Sequence, residues 1–181
     1  MNKCELRKEY KFIRGNIQDR ETLEKSVADK VITSLEYIEA DVVCIYVSFG
    51  SELNTLAIIE DALVRKKIVG VPVVTDGLID FYRISSLNDL EHQNSFGIRE
   101  PIKKEKDIVL PSLIDLMIIP GICFDFSNNR LGFGSGYYDK YLANSELRAF
   151  NMGVCFGEQI LKDGIIPVSL CDVKMDKVIH D

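Results

Sequence analysis

The stretch Arg130-Leu131-Gly132-Phe133-Gly134-Ser135-Gly136-Tyr137-Tyr138-Asp139-Lys140 sets three alternate glycines between an arginine and an aspartate. Glycines at that spacing allow a tight bend and bring backbone N–H groups close to an anion. The arginine can fork onto a phosphate, and the aspartate can hold the cation that accompanies it. The chemistry suggested is metal–phosphate binding, helped by the N-terminus of a following helix. The plain alternative is a glycine turn with two solvated charges and two core tyrosines. The pattern departs from G-x-x-x-x-G-K-[ST], because no Lys-Ser or Lys-Thr follows the glycines. It also departs from G-x-G-x-x-G, since Tyr137 stands where the third glycine belongs.

Elements must position this loop. A short helix is expected over Lys3 to Phe12, and an amphipathic one over Glu21 to Ile38, from the recurrence of Leu23, Val27, Val31, Leu35 and Ile38. Asp41 to Val47 reads as a strand covered on both faces. Ser48-Phe49-Gly50-Ser51 turns it into a helix over Thr55 to Arg65, whose apolar face is Leu56, Ile59 and Leu63, and a strand follows at Ile68 to Val71. That is a βαβ unit. Further strands are expected at Leu78 to Ile84, Asp115 to Ile119 and Phe150 to Phe156, with a helix at Tyr137 to Asn144 and a loop-rich stretch from Ser85 to Pro111. The expected fold is α/β, a three-layer sandwich with a mainly parallel, Rossmann-like central sheet, in a single domain over residues 1–181. In such sheets ligands sit beyond the carboxyl ends of the strands. Glu52 and Arg130 are therefore expected to line one cleft.

Composition limits the partners. A net charge of −6 argues against a general nucleic-acid surface, which needs a basic stripe. Arg65-Lys66-Lys67 and Lys103-Lys104 read as solvated faces. The five cysteines, at 4, 44, 123, 155 and 171, form no C-x-x-C pair, and Cys44, Cys123 and Cys155 lie in apolar runs. They read as reduced, buried residues of a cytoplasmic protein. With His92 and His180 the only histidines, neither a zinc site nor a Cys–His nucleophile is expected. No signal peptide or membrane span is expected, and the chain is taken as a monomer.

The glycine loop becomes more specific together with Ile119-Pro120-Gly121-Ile122-Cys123-Phe124-Asp125 just before it. The combination resembles the signature of the 5-formyltetrahydrofolate cyclo-ligase family, also called methenyltetrahydrofolate synthetase. The likeness continues in order along the chain. It includes Lys3 and Arg7, then Tyr46-Val47-Ser48-Phe49 with Glu52 and Thr55, then Gly97-Ile98-Arg99-Glu100-Pro101, and finally Ile166-Pro167-Val168 with Asp172 and Asp176. Asn54 stands where the family often has Asp, and Lys140 where it often has Arg.

The resemblance implies ATP- and magnesium-dependent closure of 5-formyltetrahydrofolate to 5,10-methenyltetrahydrofolate. It makes Arg130 and Tyr137 the catalytic residues and assigns ATP to Lys3, Arg7, every residue from Arg130 through Leu131, Gly132, Phe133, Gly134, Ser135, Gly136 and Tyr137 to Tyr138, and Gln159. The folate falls to Val47, Phe49, Glu52, Phe133, Gly134, Ser135, Gly136 and Tyr137, and magnesium to Asp139 and Asp172. Asp125 and Asp176 are taken as structural carboxylates, and the Glu100-Pro101 turn as shaping the mouth of the folate site. Two alternatives stay open: a sugar-phosphate isomerase on the same kind of sheet, and a non-catalytic module that senses folate or nucleotide.

Overall fold

The computed structural model describes residues 1–94 and 97–181. Helix α1 (Lys3–Gly15) starts from a capping box: Asn2 accepts from the Cys4 and Glu5 N–H groups, and the Glu5 carboxylate accepts from Asn2 N–H. These bonds satisfy donors that a first helical turn leaves unpaired. Next come α2 (Arg20–Ile32), α3 (Leu35–Glu39), β1 (Val42–Ile45), α4 (Leu56–Val64), β2 (Ile68–Thr75) and β3 (Leu78–Ile84). The chain continues through β4 (His92–Gln93), β5 (Arg99–Glu100), β6 (Leu116–Ile119), β7 (Cys123–Asp125) and β8 (Arg130–Leu131). It ends with α5 (Tyr137–Leu142), β9 (Phe150–Val154), β10 (Ile160–Leu161) and β11 (Lys177–Ile179).

The central sheet has the order β11-β9-β6-β1-β2-β3, with parallel neighbours throughout except for the β2–β3 hairpin. β1 and β6 are buried at every position, because both faces are covered. The hairpin turns on Asp76-Gly77, both at positive φ, the conformation that a two-residue turn demands. On one face Val27, Val31, Tyr37, Ile58 and Ile59 from α2, α3 and α4 close a core; on the other, Phe81, Met117, Phe124 and Tyr141 close a second. A smaller sheet, β10-β7-β8, shares a further core with α1 through Leu6, Tyr10, Ile122, Cys123 and Leu131.

The single helix expected over Glu21 to Ile38 is two. Thr33 closes α2, and Ser34, extended at ψ 148°, accepts from Tyr37 N–H to start α3 while its hydroxyl donates to Val31 O. The break rotates the register, so Leu35 and Ile38, expected on the buried stripe, are 65% and 51% exposed while Tyr37 is fully buried. The strand expected to stop at Val71 runs on to Thr75, and Pro72 sits in it. Between Ser85 and Pro111 the described residues form short 3-10 turns and the β4–β5 hairpin. The glycine loop follows the small β7–β8 hairpin instead of leaving a central strand directly. Helix α5 ends at Leu142 after six residues, so the dipole expected behind the loop is short.

Candidate active site

A cleft of about 420 Å³ lies against the ends of β1 and β6. The structure brings to it nearly every residue singled out from the sequence: Lys3 and Arg7 of α1, Val47, Phe49 and Glu52 of the loop after β1, the whole run from Arg130 to Asp139, and Asp172. Gly134 has φ 118° and Gly136 φ 68°, which an L side chain rarely adopts, so the loop's bend depends on them. A Cβ on Gly132 would lie 2.9 Å from Arg130 Nη1; the loop backbone folds back over that guanidinium.

One wall is charged. Arg130 is buried and donates from Nη2 to Asp139 Oδ1 at 2.8 Å, and from Nη1 to Pro120 O at 3.4 Å. Its Nε is buried without a hydrogen-bond partner among the described residues, a costly state unless a ligand answers it. Asp139 Oδ1 also accepts from Val173 N–H at 3.2 Å. Lys3 pairs with Asp172 Oδ2, which also accepts from Ser169 N–H. Burial raises the Asp172 carboxyl, but the hydrogen bonds from Lys3 and Ser169 outweigh it and hold the group below its ordinary value. Arg7 Nε donates to Gly132 O at 2.8 Å, tying α1 to the loop.

Asp139 and Asp172 each use one oxygen in these contacts. Asp139 Oδ2 and Asp172 Oδ1 have no hydrogen-bond partner among the described residues, and no group of three acidic, His or Cys side chains gathers there. Two hard carboxylate oxygens beside the glycine loop fit magnesium, which takes one or two carboxylates and fills its shell with other oxygen ligands and water.

The other wall is aromatic and floored by a buried carboxylate. Phe49 and Phe133 face each other with centroids 5.8 Å apart. Glu52 beneath them accepts from Phe49 N–H at 3.2 Å. Burial raises its carboxyl to about 7, against the lowering effects of that N–H and of the Arg14 charge.

Sequence reasoning missed Arg14 and Arg20. Arg14 is buried, donates from Nε to Ser51 Oγ at 3.1 Å and lies 5.4 Å from the Phe133 ring centroid. Arg20 Nη2 donates to Ser51 O and Glu52 O at 3.0 and 2.9 Å, and its guanidinium covers the Phe156 ring. Together they fix the loop that presents Glu52. A signal existed: Lys3, Arg7, Lys11 and Arg14 follow helical spacing, so α1 turns one basic face to the cleft. Pro72, Val74, Ile79, Ile98 and Glu100 also line it, on the side of β2, β3 and β5.

Gln159, expected on the nucleotide, is placed elsewhere. It is buried outside the cleft lining; its Nε2 donates to Gly121 O and Ile122 O at 3.0 and 2.9 Å, and its Oε1 accepts from Phe156 N–H. With its amide spent on three backbone groups, it braces the chain below β7. Asp125 behaves similarly, accepting from Ser127, Asn129 and Ile166 N–H groups, and Asp176 accepts from Asn151 N–H.

A family model for the 5-formyltetrahydrofolate cyclo-ligase family matches residues 1–181. A Caenorhabditis elegans protein named probable 5-formyltetrahydrofolate cyclo-ligase is 33% identical over 192 residues, spanning 99% of this chain and 92% of the relative. The mouse 5-formyltetrahydrofolate cyclo-ligase is 32% identical over 190 residues, spanning 97% and 92%. Among solved structures, the 5,10-methenyltetrahydrofolate synthetase of Aquifex aeolicus superposes with a TM-score of 0.83 at 29% identity, covering 99% of this chain and 89% of that one. The chain belongs to the 5-formyltetrahydrofolate cyclo-ligase family.

Proposed function

We propose that this protein uses ATP, with magnesium, to close 5-formyltetrahydrofolate to 5,10-methenyltetrahydrofolate, releasing ADP and phosphate. The observation that carries the reading is the meeting, in one cleft, of two cation–carboxylate pairs, Arg130–Asp139 and Lys3–Asp172, with the aromatic pocket over Glu52. An N-formyl oxygen is a poor leaving group, so the chemistry calls for phosphorylating it first. N10 then attacks the activated carbon and phosphate departs.

Phosphoryl transfer asks the protein for positioning and charge neutralisation. Lys3, Arg7 and Arg130 hold phosphate oxygens, and the amides of the glycine loop cradle them. Arg130 offsets the charge that develops during transfer, with Asp139 fixing its orientation. Tyr137 closes over the reacting groups from the start of α5. Asp139 and Asp172 would hold magnesium, which would supply further neutralisation of phosphate charge. Glu52 accepts N–H donors of the pterin while Val47, Phe49 and Phe133 pack its flat faces. The buried thiols of Cys44, Cys123 and Cys155 support a reducing, cytoplasmic setting.

The test is direct. The protein, magnesium, ATP and 5-formyltetrahydrofolate are mixed, and the near-ultraviolet absorption of the methenyl product is followed. Product formed in step with ADP supports the reading. A protein that binds folate or nucleotide yet consumes no ATP sinks it in favour of the sensing module.

A further inference from the structure

Among the described residues four carboxylates line the cleft, and three have cationic neighbours: Asp139 has Arg130, Asp172 has Lys3, and Glu52 has the Arg14 charge. Glu100 has no ion pair among the described residues, although it is only 6% exposed. A carboxylate buried so deeply in an enzyme cleft without a cation has a use to be found. Its Oε1 accepts from Asn94 Nδ2 at 2.7 Å, which fixes the carboxylate plane, while Oε2 has no hydrogen-bond partner among the described residues. The β4–β5 hairpin, where Glu100 pairs with His92, holds its backbone.

Its place along the cleft is informative. Ile98, two residues earlier, packs on the core that contains Tyr46, Val47 and Leu53, so the hairpin adjoins the pterin pocket. Pro72, Val74 and Ile79 then continue the same wall as an apolar strip suited to an aromatic ring. In a folate the nitrogen N10 lies between the pterin and the aminobenzoyl ring. Glu100 lines this one cleft from β5, which packs against β2 and follows directly on Ile98, so it adjoins both groups of residues.

Resting on the cyclo-ligase reading, we infer that Glu100 is a catalytic residue of the ring-closing step, the base that takes the proton from N10. N10 is a secondary, weakly basic aryl amine. Its lone pair forms the new bond to the formyl carbon, and the nitrogen, now cationic, becomes strongly acidic. Glu100 Oε2 accepts the N10 proton, and the electron pair so released forms the C=N bond as the bond from carbon to the phosphorylated oxygen breaks. That oxygen leaves with its electron pair on phosphate. No oxidant or further reactant is needed. Asn94 is the positioning residue that keeps the acceptor oxygen facing the cleft.

The experiment compares wild type, Glu100→Gln and Glu100→Asp, each with ATP, magnesium and 5-formyltetrahydrofolate, measuring ADP and methenyl product separately. Glu100→Gln is expected to lower methenyl turnover by about 10²-fold or more, the usual size of a general-base effect. The KM for folate is expected to stay within about threefold of wild type, since uniform binding is unaffected. Phosphorylation of the formyl oxygen does not involve N10, so the ratio of ADP to methenyl rises well above one as the stalled intermediate is lost to water. Glu100→Asp keeps the charge on a shorter arm and is expected to restore much of the coupling. A one-to-one ratio in Glu100→Gln with a raised KM would make Glu100 a binding residue and overturn the inference. So would unchanged turnover, or a ratio in Glu100→Asp no better than in the amide. If Glu100→Gln does not fold, Glu100→Asp decides alone: slowed ring closure with excess ADP supports the base, and wild-type coupling at wild-type rate overturns it. Absence of product from the wild type removes the cyclo-ligase reading itself, and this inference with it, a result unlike any of the others.

Discussion

Glu52 sits where burial opposes its own charge, and its carboxyl titrates at about 7. To accept pterin N–H donors it must be ionised, so the KM for folate is expected to rise about tenfold per pH unit as pH falls below 7. Glu52→Gln should flatten that profile at a high KM; steady-state kinetics between pH 5.5 and 8.5, on the order of the range where Glu52 titrates, checks it. Stability runs the other way. A folded pKa raised above the usual 4.5 means the native state binds this proton more tightly than the unfolded chain. The contribution is fully present below 4.5 and is lost as pH rises through about 7. Glu52→Gln is therefore expected to raise Tm at pH 8 and leave it nearly unchanged at pH 4.5, on the order of the unfolded titration point. Arg130→Met should lower kcat by about 10²- to 10³-fold, the loss typical of a transition-state charge partner, with the circular-dichroism spectrum retained. At this scale the sequence was most readable where motif residues cluster: Lys3, Glu52, Arg130, Asp139 and Asp172 all reach one cleft. Arg14 was hidden because it acts across the chain on Ser51 and Phe133, contacts that no local pattern encodes.

At the scale of elements, α1 is a helix whose first residue is a site residue. Lys3 follows the Asn2 cap directly, so fraying the first turn withdraws the ammonium from Asp172, and with it the contact proposed for phosphate. Asn2→Ala should cost about 1 kcal/mol of local helix stability. The KM for ATP is expected to rise about fivefold, as that energy implies, while Tm drops by no more than about 4 °C. Unchanged kinetics together with a lower Tm would separate the cap from the site. Long elements were legible because periodicity accumulates over many residues: β1, β3, α4 and β6 lie close to where apolar runs put them. β7, β8, β10 and β11 are two or three residues long, too short to carry a period, and tertiary pairing alone defines them. Ser34 shows the converse: one hydroxyl bonding its own backbone interrupts a pattern that otherwise reads as a continuous helix.

Across the whole molecule, Phe124 joins the small sheet to the main one. A Cβ on Gly153 of β9 would fall 2.6 Å from its ring, and one on Gly121 2.5 Å, so both glycines exist as room for this side chain. Phe124→Ala should cost about 3–5 kcal/mol, a Tm loss on the order of 10 °C, measured by thermal melting. The parallel sheet was visible from the βαβ unit, but the separate third core was not, since Leu6 and Tyr10 meet Ile122 and Leu131 from distant parts of the chain. That third core has a kinetic consequence. Leu6 and Tyr10 on α1 and Leu131 on β8 share apolar packing next to cleft residues, while Arg7 bonds the loop backbone at Gly132. Units of this kind open cooperatively. In deuterated solvent the amides of α1, β7 and β8 are expected to exchange as a group, ahead of β1 and β6, and nucleotide should slow the whole group together.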